Sequence, residues 1–233
     1  MGILAIETSG KQASVALFTG ETCLGQARSD GSQTHSVTLL PLVHNLLETS
    51  SMTMGEIDAI AVARGPGSFT GLRIGLAAAK GLALALDKPV IGVSSLEAIA
   101  QQAKEYAPGH TICAVMDARR LQVYNALFTV QGGRLIRQTE DRAISIEDLF
   151  AEKQGDKPYV LVGDGAMLCY EQQKARGVEE IILPQELCIQ SAFGVGIEAI
   201  GKQGEHAHSV NPEYLRKPQA EREREEKTGG MQR

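Results

Sequence analysis

The chain has no tryptophan, and its aromatic residues amount to 4% of 233 positions. A surface that reads nucleic acid by stacking bases on aromatic rings is therefore not expected. A positive balance is missing too: 23 lysines and arginines face 28 aspartates and glutamates, a formal net charge of −5. A chain that grips RNA by its own field is normally basic, so any contact with RNA is expected to be weak or indirect. The four cysteines, Cys23, Cys113, Cys169 and Cys188, show no Cys-x-x-Cys spacing and no Cys/His cluster. Each reads as a small buried residue rather than a ligand or half of a disulfide. The histidines (His35, His44, His110, His206 and His208) form no His-x-x-x-His or His-Glu-x-x-His pair, and His206-Ala207-His208 reads as a surface loop. No Gly-x-Ser-x-Gly elbow occurs, so a serine hydrolase has no support. The longest apolar stretch, Ile74 to Leu86, is interrupted by Lys80 and falls short of the ~20 residues of a membrane span. No charged and apolar leader precedes Ile3-Leu4-Ala5-Ile6, so the expected location is cytoplasmic, away from any membrane.

What is present is an ordinary globular balance, 43% hydrophobic and 22% charged, with 25 glycines. The length suits one large or two small domains. Gly2–Thr8, Ala13–Thr19 and Thr22–Ala27 read as three strands joined by short turns, an antiparallel meander. A helix over Thr34–Thr49, a strand over Ile57–Ala63, a helix over Phe69–Leu86, a strand over Val90–Val93 and a helix from Ser94/Ser95 to Tyr106 follow. Pro108-Gly109 breaks the chain, and the pattern then repeats. Strands are expected at Ile112–Met116, Gln122–Val130 and Leu135–Glu140, a helix near Ser145–Lys153, a strand at Tyr159–Val162, a helix to Arg176, a strand at Ile181–Leu183 and a last helix over Gln190–Lys202. Twice βββαβαβα predicts two similar α/β lobes, 1–107 and 108–217, the last helix being able to pack back on the first lobe. Residues 218–233 form a charged tail with no face to bury, expected to be solvated.

The most distinctive stretch is Arg64-Gly65-Pro66-Gly67-Ser68-Phe69-Thr70-Gly71, between a strand and a helix. It is neither a P-loop, for want of the lysine, nor a complete Gly-x-Gly-x-x-Gly, because Thr70 takes the last glycine position. Backbone N–H groups there could cradle an anion, or the glycines could serve a tight turn. The helix after it has only Arg73 and Lys80 as a polar stripe, with Gly71, Gly75, Ala78 and Ala79 on one face. So narrow a polar face means cover on most sides, by its own domain or by another helix that the small residues let approach. In the preceding helix Val37, Leu39, Leu40, Leu42, Val43, Leu46 and Leu47 spread over more than one face, and Pro41 is expected to kink it or start a new turn. Two adjacent helices with surplus apolar surface point to a partner or a second copy. Glu7, Asp117 and Asp164 each follow a strand and are candidate functional acids or ordinary turn residues.

Together these pieces resemble a known family. Ile3-Leu4-Ala5-Ile6-Glu7-Thr8-Ser9 with Ala13-Ser14-Val15-Ala16-Leu17 is similar to the opening of actin-like (ASKHA) tRNA-modification proteins, and Arg64 to Gly75 resembles their signature. Asp117-Ala118-Arg119 with Val123-Tyr124, then Gly163-Asp164-Gly165, then Pro212-Glu213-Tyr214-Leu215-Arg216 match in order. The likeness covers about residues 1–217 and points to the TsaB (YeaZ) family. It implies an α/β actin-like ASKHA fold with mixed sheets and a non-catalytic scaffold that docks on and activates a TsaD-type catalytic paralogue in tRNA threonylcarbamoyladenosine formation. A TsaE-type ATPase is the implied third component, tRNA is contacted indirectly, and a homodimer through the same helices is an alternative pairing. The resemblance assigns the interface to Val37, Leu39, Leu40, Val43, Leu46, Leu47, Phe69, Gly71, Arg73, Gly75, Ala78, Ala79 and Leu82. Thr8, Ser9, Gly65, Gly67, Asp117, Gly163 and Gly165 would be vestigial nucleotide or anion loops. No metal and no cofactor is expected on this chain alone; ATP or ADP would belong to the complex. The catalytic relatives carry a His-x-x-x-His pair that is missing here, and Lys11-Gln12 stand where they tend to have an acid. The competing expectation is an ASKHA nucleotide-dependent transferase or phosphotransferase acting alone. A peptidase has no nucleophile with its base, and a dimeric interaction module unrelated to tRNA differs only in its partners.

Overall fold

The structure, a computed structural model, describes residues 1–216. The charged tail at 218–233 lies outside the described residues. The first sheet contains β1 (Gly2–Glu7), β2 (Ser14–Thr19), β3 (Thr22–Arg28), β4 (Ala59–Gly65) and β5 (Val90–Ser94), in the order β3-β2-β1-β4-β5. The meander β1-β2-β3 is antiparallel, and β4 and β5 are added in parallel. Parallel neighbours need crossovers, which α1 (His35–Thr49) and α2 (Phe69–Leu86) supply. Side chains on a strand alternate between faces, so Leu4 and Ile6 pack with Val15, Leu39, Val43, Leu46, Leu76 and Ala79 under α1 and α2. Ile3 and Ala5 point the other way, into a core with Phe18, Ala192, Val195 and Ala199. Cover on both faces explains why β1 is a continuous apolar run rather than an alternating one. The edge strand β3 alternates.

The second sheet repeats the plan. Its strands are β6 (Ile112–Asp117), β7 (Gln122–Gln131), β8 (Arg134–Arg137), β9 (Arg142–Ser145), β10 (Val160–Val162) and β11 (Ile181–Ile182), with helices α3 (Ser95–Ala103), α4 (Ile146–Ala151), α5 (Ala166–Lys174) and α6 (Ala192–Ala199) completing the chain. The order β8-β7-β6-β10-β11 reproduces that of the first sheet, antiparallel and parallel pairs included. This is the actin-like ASKHA arrangement. One strand was not foreseen. The sequence places a single strand over Leu135–Glu140, whereas β8 pairs with Phe128–Gln131 and a separate β9 pairs with Gln122–Asn125. A long β7 thus has two short partners end to end, and the break falls at the hydrogen-bonded turn around Gln138 and Thr139. Pro41 does not interrupt α1. It and Val37 lie on the exposed side, where water can take the carbonyl that the missing proline N–H leaves free.

The last helix packs on the first sheet, against β1, β2 and α3. A glycine permits this: a Cβ on Gly194 would lie 2.1 Å from the Ala98 carbonyl oxygen of α3. Both sides are helix backbone and cannot give way. Gly194→Ala is therefore expected to destabilise the chain by about 1–3 kcal/mol, read as a lower urea midpoint with an unchanged slope.

Candidate functional site

Equivalent strand ends of the two lobes meet at a cleft of about 500 Å³, lined among others by Ser9, Lys11, Gly67, Asp117, Asp164 and Tyr214. Glu7, at the end of β1, is wholly buried. Its Oε1 accepts the Ser9 N–H, while Oε2 makes no hydrogen bond among the described residues. Burial lifts its carboxyl from the usual range to about 7, against the pull of the Ser9 hydrogen bonds and with a smaller push from the Asp164 charge. Asp164 lies at the cleft mouth, crowded by protein, and this desolvation raises its carboxyl as well. It accepts the Asp117 N–H at 3.2 Å. Asp117 in turn accepts the Arg119 N–H at 2.7 Å and faces the Arg119 guanidinium at 3.5 Å. The structure thus brings together the three acids that the sequence singles out: Glu7 and Asp117 are tied into their own loops, and Asp164 bridges to the loop of Asp117.

The glycine loops are filled by the chain itself. A Cβ on Gly67 would meet Ser9 Cβ at 2.6 Å, and one on Gly65 would meet the Glu213 carbonyl oxygen at 2.3 Å. The Ser68 N–H, a potential anion donor, is spent on the Ser9 carbonyl at 2.8 Å. Thr8 donates from Oγ1 to the Gly71 carbonyl at 2.8 Å. Gly163 gives way to the Val115 carbonyl, and Gly165 lies against the Asp117 N–H. Close approach of this chain's own backbone accounts for these glycines without a ligand.

The second candidate is the paired face of α1 and α2. The apolar surplus has two destinations. Leu39, Val43, Leu46, Leu47, Gly71, Gly75 and Ala79 are buried in their own lobe, so they shape the helix pair without offering contact surface. The Gly71–Gly75 face does not await another helix: Thr8 fills it, its carbonyl oxygen 2.1 Å and its Oγ1 2.2 Å from the Cβ positions. The small-residue stripe that is open runs along Ala77, Gly81 and Ala85, beside Leu84, which is 72% exposed. Among the described residues nothing lies within 4 Å of a Cβ built on Gly81. On α1, Val37 and Leu40 are 58% and 52% exposed. Phe69, Ala78 and Leu82 are half-covered, and Arg73 is exposed. By length and composition α2 would pass for a membrane span, yet a third of it is buried here, against the sheet. Of the two covers that the sequence leaves open for the Gly71–Gly75–Ala79 face, its own lobe is the one found, and the interface that the resemblance assigns to these three residues is corrected accordingly; periodicity shows that a helix has apolar surplus, not which surplus its own sheet consumes.

Sequence reasoning gave no role to residues 212–216. They run along the cleft mouth, where Tyr214 stacks on Phe69 with ring centroids 4.5 Å apart and accepts a hydrogen bond from Arg73 Nε at 3.0 Å. The available signal was a tyrosine in an aromatic-poor chain, placed just before a charged run. His206 and His208 stack on an exposed loop, and among the described residues no cluster of three His, Cys, Asp or Glu is placed to share a metal ion.

The chain is similar to several known proteins. The family model described as TsaD, tRNA N6-adenosine threonylcarbamoyltransferase, matches residues 29–223. The tRNA threonylcarbamoyladenosine biosynthesis protein TsaB of Bacillus subtilis is 35% identical over 95% of this chain and 96% of its own length. The Escherichia coli protein of the same name is 34% identical over 93% of this chain and 95% of its own. Among solved structures, YeaZ from Pseudomonas aeruginosa superposes with a TM-score of 0.76 at 26% identity, covering 92% of this chain and 99% of that one. A second Pseudomonas aeruginosa structure, described as similar to peptidase YeaZ, gives 0.79 at 28% over the same shares.

Proposed function

The chain belongs to the TsaB (YeaZ) family, and from that premise we propose that it is a non-catalytic subunit that docks on and activates a TsaD-type transferase through the outward face of α1 and α2. Its role lies in tRNA threonylcarbamoyladenosine biosynthesis, the process named for relatives that match it nearly end to end. The observation that carries the docking reading is the open apolar stripe, Val37 and Leu40 on α1 with Ala77, Gly81, Leu84 and Ala85 on α2. Apolar side chains left exposed on two adjacent helices are the kind of surface that marks a protein contact. The partner is a second actin-like lobe that presents a matching helix pair, with Arg73 at the polar rim. Docking can activate only by favouring one conformation of the transferase over another, so the face would hold a competent lobe arrangement in the partner. In the same reading the stripe pairs two copies of this chain when no transferase is present, a TsaE-type ATPase joins the complex in the cytoplasm, ATP or ADP sits at the complex rather than in this chain alone, and tRNA is reached through the partner.

A second reading, a nucleotide-dependent transferase acting alone, has the interlobe cleft, lined by Asp117 and Asp164, in its favour. One reconstitution separates the two. TsaD-type and TsaE-type proteins, ATP, a supply of threonylcarbamoyl-adenylate and tRNA are combined with and without this chain, and modified adenosine is quantified. The docking reading expects modification only when the chain is present, and none from the chain alone. Turnover by the isolated chain would replace it with the second reading.

A further inference from the structure

The segment Pro212–Arg216 joins parts of the molecule that are far apart in sequence. Val210, wholly buried in the first lobe, anchors its start. The Glu213 N–H donates to the Arg64 carbonyl at 2.7 Å, and the Glu213 carboxylate meets Arg64 Nη2 at 2.9 Å. Gly65 has no room for a side chain because the Glu213 backbone presses on it. Tyr214 is then clamped on the first turn of α2, stacked on Phe69, with Arg73 Cζ 3.9 Å above the centre of the Phe69 ring. Two residues later the chain reaches the second lobe, where Arg216 Nη1 donates to the Ala118 carbonyl at 2.5 Å.

The place it reaches is unusual. Arg119, Arg120 and Leu121, in the β6–β7 turn, have φ of +67°, +58° and +55°. Three consecutive side-chain-bearing residues in the left-handed region are costly and persist only where the surroundings hold them. Within the turn, the Ala118 N–H donates to the Gln122 carbonyl and the Gln122 N–H to the Arg119 carbonyl. Arg216 adds a tie from outside, on the residue just before the strained run. Tyr214 and Leu215 also wall a second cavity of about 450 Å³, lined by Arg64, Glu97, Arg137 and Asp141. The segment is thus the partition between this cavity and the interlobe cleft.

We propose that residues 212–216 are a latch between the two lobes: Tyr214 fixes it to α2, and Arg216 grips the strained turn of the second lobe and so controls access to the cleft. This goes beyond the docking reading and stands without it. A guanidinium on a carbonyl at a solvent-facing turn is a contact that can be released and remade. Release frees the turn and opens the cleft toward Ser9 and Lys11, which line its other wall.

Amide hydrogen exchange on the full chain tests it, comparing wild type with Arg216→Ala, Tyr214→Ala and Arg216→Lys. Exchange should accelerate about tenfold or more in residues 117–122 and 9–12 of both alanine variants, while β4 and α6 keep their wild-type rates. The lysine variant, which keeps a cationic donor, should fall between. Rates at 117–122 within about twofold of wild type in a folded Arg216→Ala chain would overturn the latch. Uniform acceleration that includes β4 and α6 would overturn it as well, since the segment would then be a general stabiliser. Should Tyr214→Ala fail to fold, Arg216→Ala, which removes one surface hydrogen bond, decides alone.

Discussion

Leu40→Asp is expected to weaken docking of a TsaD-type partner by at least about 100-fold, some 3 kcal/mol, while leaving this chain folded. Leu40 is 52% exposed and α1 buries Leu39, Val43, Leu46 and Leu47 instead, so the isolated chain loses little. In a docked state the carboxylate would be enclosed by apolar surface with no partner, and an unpaired buried charge costs several kcal/mol. Gly81→Arg is the sharper companion. The glycine sits in mid-helix with open space above it, so a side chain there fits the free chain and should raise its stability by about 0.5–1 kcal/mol through helix propensity. The same side chain would stand where a partner helix must approach. Opposite signs for stability and docking in one variant exclude misfolding as the cause. Pull-down and calorimetric titration, alongside urea unfolding, measure both; unchanged affinity in the two variants would move the interface off this face.

Glu7→Gln is expected to stabilise the chain by about 3 kcal/mol at pH 8 and to have little effect at pH 4. The Glu7 carboxyl titrates near 7 in the folded chain against 4.5 as the unfolded reference, because burial penalises its charge. The folded state therefore holds the proton more tightly, and between pH 4.5 and 7 it binds more protons than the unfolded state. Stability falls as pH rises through that window and levels off above it. Asp164, also raised, adds to the fall with the same sign. Glutamine copies the neutral carboxyl: its amide oxygen can accept the Ser9 N–H as Glu7 Oε1 does. Urea midpoints at pH 5, 6.5 and 8 should show the wild-type decline and a flatter line for the variant. Equal slopes would mean that Glu7 stays charged and finds a partner on Oε2.

Much of the architecture was legible because each element declares itself locally. The run Ile3-Leu4-Ala5-Ile6 must be covered on two faces, and Phe69–Leu86 is helical as read. The doubled βββαβαβα order foreshadowed two sheets of the same strand order. The site was less legible. Glu7, Asp117 and Asp164 could be named as strand-end acids, but their meeting depends on how two lobes face each other. Gly71 and Gly75 advertised close approach without saying to what, and the answer, Thr8, lies more than sixty residues away. Tyr214 and Arg216 acquire meaning only from Phe69, Arg73 and Ala118, all distant in the chain.

Local pattern was enough for most of the elements and their order, though not for the separate β9, and for the family likeness and the surplus of apolar surface on two helices. These follow from side-chain period, turn chemistry and composition, which act over a few residues. The tertiary structure alone decided which apolar face is left open, what fills each glycine, how far burial shifts Glu7, and that residues 212–216 cross from one lobe to the other. Those depend on what arrives from the far end of the chain to exclude water or supply a partner, and no local pattern records it.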